Sequence, residues 1–267
     1  MVRFAERVTR YWLWGAVGLV AAIVFWATPG DYGGTARAVL HGLCAQTPSH
    51  TLRFGDRMLP FDARMTGIYG GFLVTFLLIL ASGRLFSYGN PPRSVVAILG
   101  GLVVLMGADG FNSLFADLRL WHPYEPNNAL RVVTGYGTGV ALAVALCWLL
   151  SSSLWNLASP AVAVRQIRDL SGVGLGLIGY ALVLAWRPEW LHLPISILLV
   201  AAAWLTVSLL MLVIVLLALK FEASIRTFDQ LHVPVAMAAL LAISVMLGLA
   251  GARYWLERTL GITNAMM

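Results

Sequence analysis

The stretch ISILLVAAAWLTVSLLMLVIVLLAL, residues 195–219, carries no charged side chain from end to end. A bilayer core of about 30 Å needs about 20 predominantly apolar residues of helix, so this stretch alone is long enough to cross. In hydrocarbon the backbone must satisfy its own polar groups, which makes the stretch a helix. Six further apolar stretches surround it: residues 11–28, closed by Pro29-Gly30; 66–82; 94–118, introduced by Asn90-Pro91-Pro92; 132–150; a short, glycine-rich 171–186; and 233–252. The expected fold class is all-α, a polytopic transmembrane helix bundle of about seven spans. It forms a single integral membrane domain over residues 1–267, with residues 29–65 as a polar loop between the first two spans.

Composition excludes the alternatives. Of 267 residues, 60% are hydrophobic and 11% charged, and mean hydropathy is +0.82. A soluble domain is charged at about 25% of positions, so soluble enzymes, disordered chains and disulfide frameworks are ruled out. The net charge of +6 comes from cations spread among the connections, all arginine except Lys220. No basic run or nucleic-acid motif is present, so no nucleic-acid partner is expected. Cys44 falls in a polar segment and Cys147 inside a span, which argues against a disulfide between them.

Arg3, Arg7 and Arg10 precede the first span as they would a signal peptide, but no small-x-small cleavage site follows, so the span is read as retained. Discounting the long 29–65 loop, the cations favour an amino terminus inside and a carboxyl terminus outside. Trp12, Trp14, Trp26, Trp121, Trp155, Trp186, Trp190 and Trp255 lie near span ends, as an interfacial aromatic belt would. Gly67/Gly71, Gly135/Gly139 and Gly172/Gly176 have the small-x-x-x-small spacing that lets helix backbones approach closely.

Few residues carry chemistry. Gly174, Gly176 and Gly179 spell GxGxxG, but inside an apolar span, without the strand and βαβ unit of a dinucleotide site, so helix packing is expected. His41, His50, His122, His192 and His232 show no metal or haem spacing and are expected at the surface or interface. Asp109 ends an apolar run, and an ionisable residue there marks a candidate functional site. Asn112 follows on the same helical face, and Arg64 and Arg131 open the neighbouring spans on the same membrane side. These four form a candidate polar cluster, either a headgroup, quinone or proton-linked site or an ion-pair network fastening three helix ends.

Two stretches carry a resemblance. Asp109, Gly110, Asn112 and Ser113, followed by Asn128, Arg131, Thr134 and Gly135, match a pattern Asp-Gly-x-Asn-Ser … Asn-x-x-Arg-x-x-Thr-Gly. Cys44, Gln46, Pro48, Arg64, Gly67 and Tyr69 match part of an earlier one, Cys-His-Gln-x-Pro … Cys-x-Arg-Cys-x-Gly-x-Tyr. Over residues 40–140 the chain resembles a family of bacterial multi-pass membrane proteins of unknown function. The resemblance implies three cysteines and a histidine close together, a soft donor set suited to a metal or thiol centre. Here Ala45, Asp62 and Met65 replace three of those four groups, so no metal and no catalytic residue is expected.

The favoured function is therefore a non-catalytic accessory subunit of a larger complex in a bacterial inner membrane, with a quinol-linked electron-transfer complex of a respiratory or photosynthetic chain as best guess. Its expected partners are other integral membrane subunits and lipids. No resident cofactor is expected, while a bound lipid or quinone stays open. The alternatives are a stand-alone transporter or channel, or a membrane enzyme or quinone/lipid-binding protein using Arg64, Asp109 and Arg131.

Overall fold

The computed structural model describes residues 2–27, 32–85, 87, 89–154, 163–164, 167–218 and 228–261. Thr28, Pro29, Gly30, Trp155, Leu219 and Lys220, given above by name or number, lie outside the described residues, as do Arg165 and Arg226, two of the cations that bear on topology. Eight α-helices are described: α1 (Val2–Ala27), α2 (Tyr32–Leu40), α3 (Ala63–Ala81), α4 (Arg93–Asp117), α5 (Asn128–Leu154), α6 (Ser171–Trp186), α7 (His192–Ala218) and α8 (His232–Thr259). Between α2 and α3 lies a hairpin of β1 (Thr51–Phe54) and β2 (Arg57–Asp62). Helices α3, α4, α5, α7 and α8 are long and apolar enough to cross a bilayer; Trp12–Val24 within α1 and Ser171–Trp186 are shorter apolar helical stretches. The chain is an integral membrane protein of helical fold.

Helix ends are set by polar chemistry that hydropathy does not register. Helix α3 starts three residues before its expected span because Asp62 Oδ1 accepts the Met65 N–H at 2.9 Å, capping the first turn. Asn127 Oδ1 does the same for Leu130 N–H at 2.8 Å, so α5 opens at Asn128. Helix α8 runs seven residues past its expected end, and those turns grip the chain after α2. Arg253 donates to the carbonyls of His41 at 2.7 Å and Cys44 at 2.5 Å and pairs with Glu257 at 2.8 Å. Glu257 Oε2 lies 2.8 Å from His41 Nε2, and the His41 ring stacks on Tyr254 with centroids 4.2 Å apart.

Within the expected polar loop of residues 29–65, residues 32–62 carry α2 and the hairpin and form a folded cap. Its hairpin turns at Gly55-Asp56, where Gly55 has φ +59, and alternation buries Leu52, Phe54, Leu59 and Phe61 while Arg53 and Arg57 face outward. The Met58 carbonyl takes hydrogen bonds from Arg37 at 3.1 Å and from His192 Nε2 at 3.0 Å, tying β2 to α2 and α7. His41 and His192 are buried, against the surface or interfacial placement expected of them. Each has Nε2 hydrogen-bonded, His41 to Glu257 and His192 to the Met58 carbonyl, which offsets part of the cost of burial, while Nδ1 of each has no hydrogen-bond partner.

The tightest helix contact is α3 against α5. A Cβ on Gly67 would meet Val132 O and lie 2.9 Å from Tyr136 N; one on Gly139 would meet Ile68 O and lie 2.6 Å from Phe72 N. Gly71 and Gly135 are filled the same way, by the carbonyls of Tyr136 and Arg64. Two of the three expected glycine pairs, Gly67/Gly71 and Gly135/Gly139, therefore sit in one backbone-to-backbone seam. Helix α6 runs antiparallel along α3, with Gly172 beside Leu78, Gly176 beside Val74, and Tyr180 donating to Thr66 O at 2.8 Å. Gly176 is a close contact and Gly172 an ordinary one. A Cβ on Gly174 or Gly179 would meet nothing within 4 Å, so these two glycines of the GxGxxG are not required by a close helix contact.

A contrast between two alanine variants tests this seam. Gly139→Ala should destabilise by about 1–3 kcal/mol through overpacking. Gly174→Ala, with open space around it, should be neutral or stabilise by about 0.5–1 kcal/mol. Thermal unfolding in detergent reads both.

Candidate functional site

Helix α4 buries an apolar face early, at Val95 and Leu99, and a polar one late, at Asp109, Asn112 and Ser113. The spacing of three and four residues puts the late group on one side of the helix. Helix α3 brings Arg64 to that side, because α3 lies against α5 along the glycine seam and α5 packs on α4. Arg64 Nη2 donates to Asp109 Oδ2 at 2.7 Å and to Ser113 Oγ at 3.2 Å. Tyr124, in the α4–α5 connection, donates its hydroxyl to Asp109 Oδ1 at 2.9 Å. Thr134 Oγ1 stands 3.5 Å from Asp109 Oδ2, but its single proton is better placed on Leu130 O at 2.9 Å.

Both oxygens of Asp109, which is 2% exposed, are thus engaged within the protein. Asn112 holds the tyrosine in place: its Nδ2 donates to Tyr124 O at 2.9 Å, and its Oδ1 faces Tyr124 N at 3.5 Å. The Tyr124 phenol is raised above its ordinary value by burial and by the hydrogen bond and charge of Asp109, so it stays a donor at neutral pH. A Cβ on Gly110 would make only an ordinary contact with Arg64, 3.7 Å from Nη1. Tyr124 was not among the sequence candidates. It lies in a connection with no periodic signal, and its only mark is an aromatic in the polar run Trp121-His122-Pro123-Tyr124.

Arg131, the fourth expected member, makes its hydrogen bonds elsewhere. Its Nη1 donates to Asn128 Oδ1 at 2.9 Å and its Nη2 to His50 Nε2 at 3.3 Å. Asn128 also donates to Ser49 O at 3.1 Å, so the first turn of α5 anchors the 48–50 turn that Pro48 opens. His50 Nε2 lies 3.9 Å from Asp117 Oδ1. A pocket of about 490 Å³ opens among these residues, between the end of α4 and the start of α5.

The earlier hallmark folds into the cap. Gln46, at φ +55, donates to the carbonyls of Arg37 at 3.1 Å and Pro60 at 3.0 Å. Cys44 Sγ accepts Asp62 N–H at 3.3 Å, and Tyr69 packs on Phe61 at 4.7 Å between centroids. Positions 44, 62 and 65 are therefore neighbours, with Asp62 acting as helix cap. Burial and then the charge of Asp62 push the Cys44 thiol up to about 12, leaving it protonated and a poor nucleophile or ligand. Among the described residues no three His, Cys, Asp or Glu side chains converge as metal ligands, and both cysteines are free.

Two outcomes follow for the polar groups. Asp109→Ala should cost about 3 kcal/mol, the low end for breaking a buried ion pair because Arg64 reaches solvent. Arg64→Met/Asp109→Leu should recover most of that loss in the same detergent unfolding assay. His50 titrates with the opposite sign to a salt-bridged histidine. Burial and then the Arg131 charge hold it below its ordinary 6.5, so the unfolded chain takes up the proton first as pH falls. Stability should therefore decline from about pH 6.5 downward until the folded imidazole also protonates. His50→Gln should flatten that part of the pH–stability curve.

Comparison with known proteins agrees with the helical, apolar character of this region. No curated protein and no solved structure matches the chain. A protein-family profile described as "Predicted membrane protein (DUF2085)" matches residues 44–145, the segment that holds the cap hairpin, the glycine seam and the Asp109 network, and the chain is similar to that uncharacterised membrane family over this segment.

Proposed function

We propose that this protein is a non-catalytic structural subunit of a larger membrane assembly. The observation that carries it is the state of Asp109: both carboxylate oxygens are spent on Arg64 and Tyr124. A catalytic or proton-carrying carboxylate needs an oxygen directed at a substrate or a water path. Here the charge joins α3, α4 and the connection between α4 and α5.

Helix α4 supports the second half of the proposal. Only 17% of its most apolar stretch is buried, against 61% for α5. A Cβ added at Gly100, Gly101 or Gly107 of α4 would meet nothing within 4 Å. Glycines are what this chain uses on α3 and α5 to bring helix backbones together, and a bare glycine on a lipid-facing helix admits a neighbour at the same range. The occupant proposed is a transmembrane helix of another subunit. A quinol-linked electron-transfer complex of a bacterial inner membrane is the assembly we name first.

Mild-detergent purification of the tagged chain, with identification of the chains that accompany it, tests the proposal. It predicts other integral membrane proteins in fixed ratio, with haem- or iron–sulfur-bearing subunits among them if the named assembly is right. Gly100→Leu and Gly101→Leu should lose those partners while leaving the unfolding temperature unchanged. A monodisperse protein without partners contradicts the proposal.

A further inference from the structure

The pocket beside Arg131 is separate from the Asp109 network, and its walls carry opposite charges. On one side are Arg131, only 6% exposed, and the start of α5, the positive end of that helix's dipole. On the other are Asp117 and Glu125, both reaching solvent. His50 stands between them, 3.3 Å from Arg131 Nη2 and 3.9 Å from Asp117 Oδ1. Both contacts are to the same ring nitrogen, Nε2, so the positive and negative walls meet at one atom of His50. A guanidinium has five N–H bonds, and Arg131 spends two of them, on Asn128 and His50.

We propose that this pocket binds the headgroup of a zwitterionic phospholipid with a primary ammonium, of the phosphoethanolamine type. Its phosphate sits at Arg131 and the start of α5, and its ammonium at Asp117 and Glu125. A primary ammonium donates three hydrogen bonds to such carboxylates; a quaternary one donates none. An anionic headgroup such as phosphoglycerol brings no cation to the acidic wall. The pocket's volume of about 490 Å³ lies within the range of small-molecule sites, about 300–1,000 Å³.

The lipid source is favoured by what surrounds the pocket. The same turns of α4 that supply Asp117 expose Leu114, Phe115 and Leu118, an apolar track on which acyl chains can lie. Trp121, in the connection that follows, is 81% exposed, as an anchor at the headgroup level would be.

Native mass spectrometry of the delipidated full chain, supplied with phosphatidylethanolamine or phosphatidylglycerol, tests the site. Wild type should retain phosphatidylethanolamine in preference. Arg131→Gln should weaken that binding about tenfold or more, as loss of a charge-assisted hydrogen bond does. Asp117→Asn, at an exposed position that does not hold the fold together, should lower phosphatidylethanolamine binding and raise that of phosphatidylglycerol, reversing or erasing the preference. Equal binding of both lipids by wild type, or an unchanged preference in Asp117→Asn, overturns the proposal. Free O-phosphoethanolamine should not compete at lipid-equivalent concentration; if it does, the site takes a soluble ligand and the lipid assignment falls.

Discussion

The Asp109 network depends on the backbone contact between α3 and α5. In a bilayer no hydrophobic effect drives helices together, so packing distance decides which contacts form. Gly67, Gly71, Gly135 and Gly139 remove the side chains that would hold the two backbones apart. Gly135 lies directly against the Arg64 carbonyl. The residue that permits the contact therefore also fixes where the arginine begins. Helix α5 carries α4 on another side, and only then is Asp109 within 2.7 Å of Arg64.

The polar groups follow from that frame. An unpaired charge in a span is costly, so Asp109 persists by pairing. Tyr124 and Asn112 complete the network and convert the α4–α5 connection from a free loop into a strap across the helix ends. A second set of polar contacts, from Arg253, Glu257 and His41, closes the cap on α8. Charged groups are few in this chain, and those described at these two places join one element to another. Arg131 departs from that pattern, since it lines an open pocket with donors to spare.

Hydropathy made the long helices legible because a run such as residues 195–219 has no other stable form in a bilayer. It misplaced their ends wherever a cap or a grip extended them: Asp62 before α3, Asn127 before α5, Arg253 and Glu257 beyond α8. The cap hairpin was missed, although Gly55-Asp56 between alternating residues is a two-residue turn signal; its strands are short and its composition reads as loop. Asp109, Arg64 and Asn112 were legible from the rarity of charge and the helical spacing, whereas their link to Tyr124 is long-range and left no periodic trace. Arg131 was grouped with them on membrane depth alone. Depth does not say which way a side chain turns, and the 48–50 turn draws this one toward His50.

The claim that the glycine seam sets up the ion pair is tested most directly by the coupling energy between Arg64 and Asp109, from double-mutant cycles in the native chain and again with Gly135→Ala. The account predicts a clear coupling in the native background, on the order of 1–3 kcal/mol, that falls toward zero once the added methyl pushes α5 away from the Arg64 backbone. An unchanged coupling in the alanine background would contradict it, because the pair would then form without the contact said to create it.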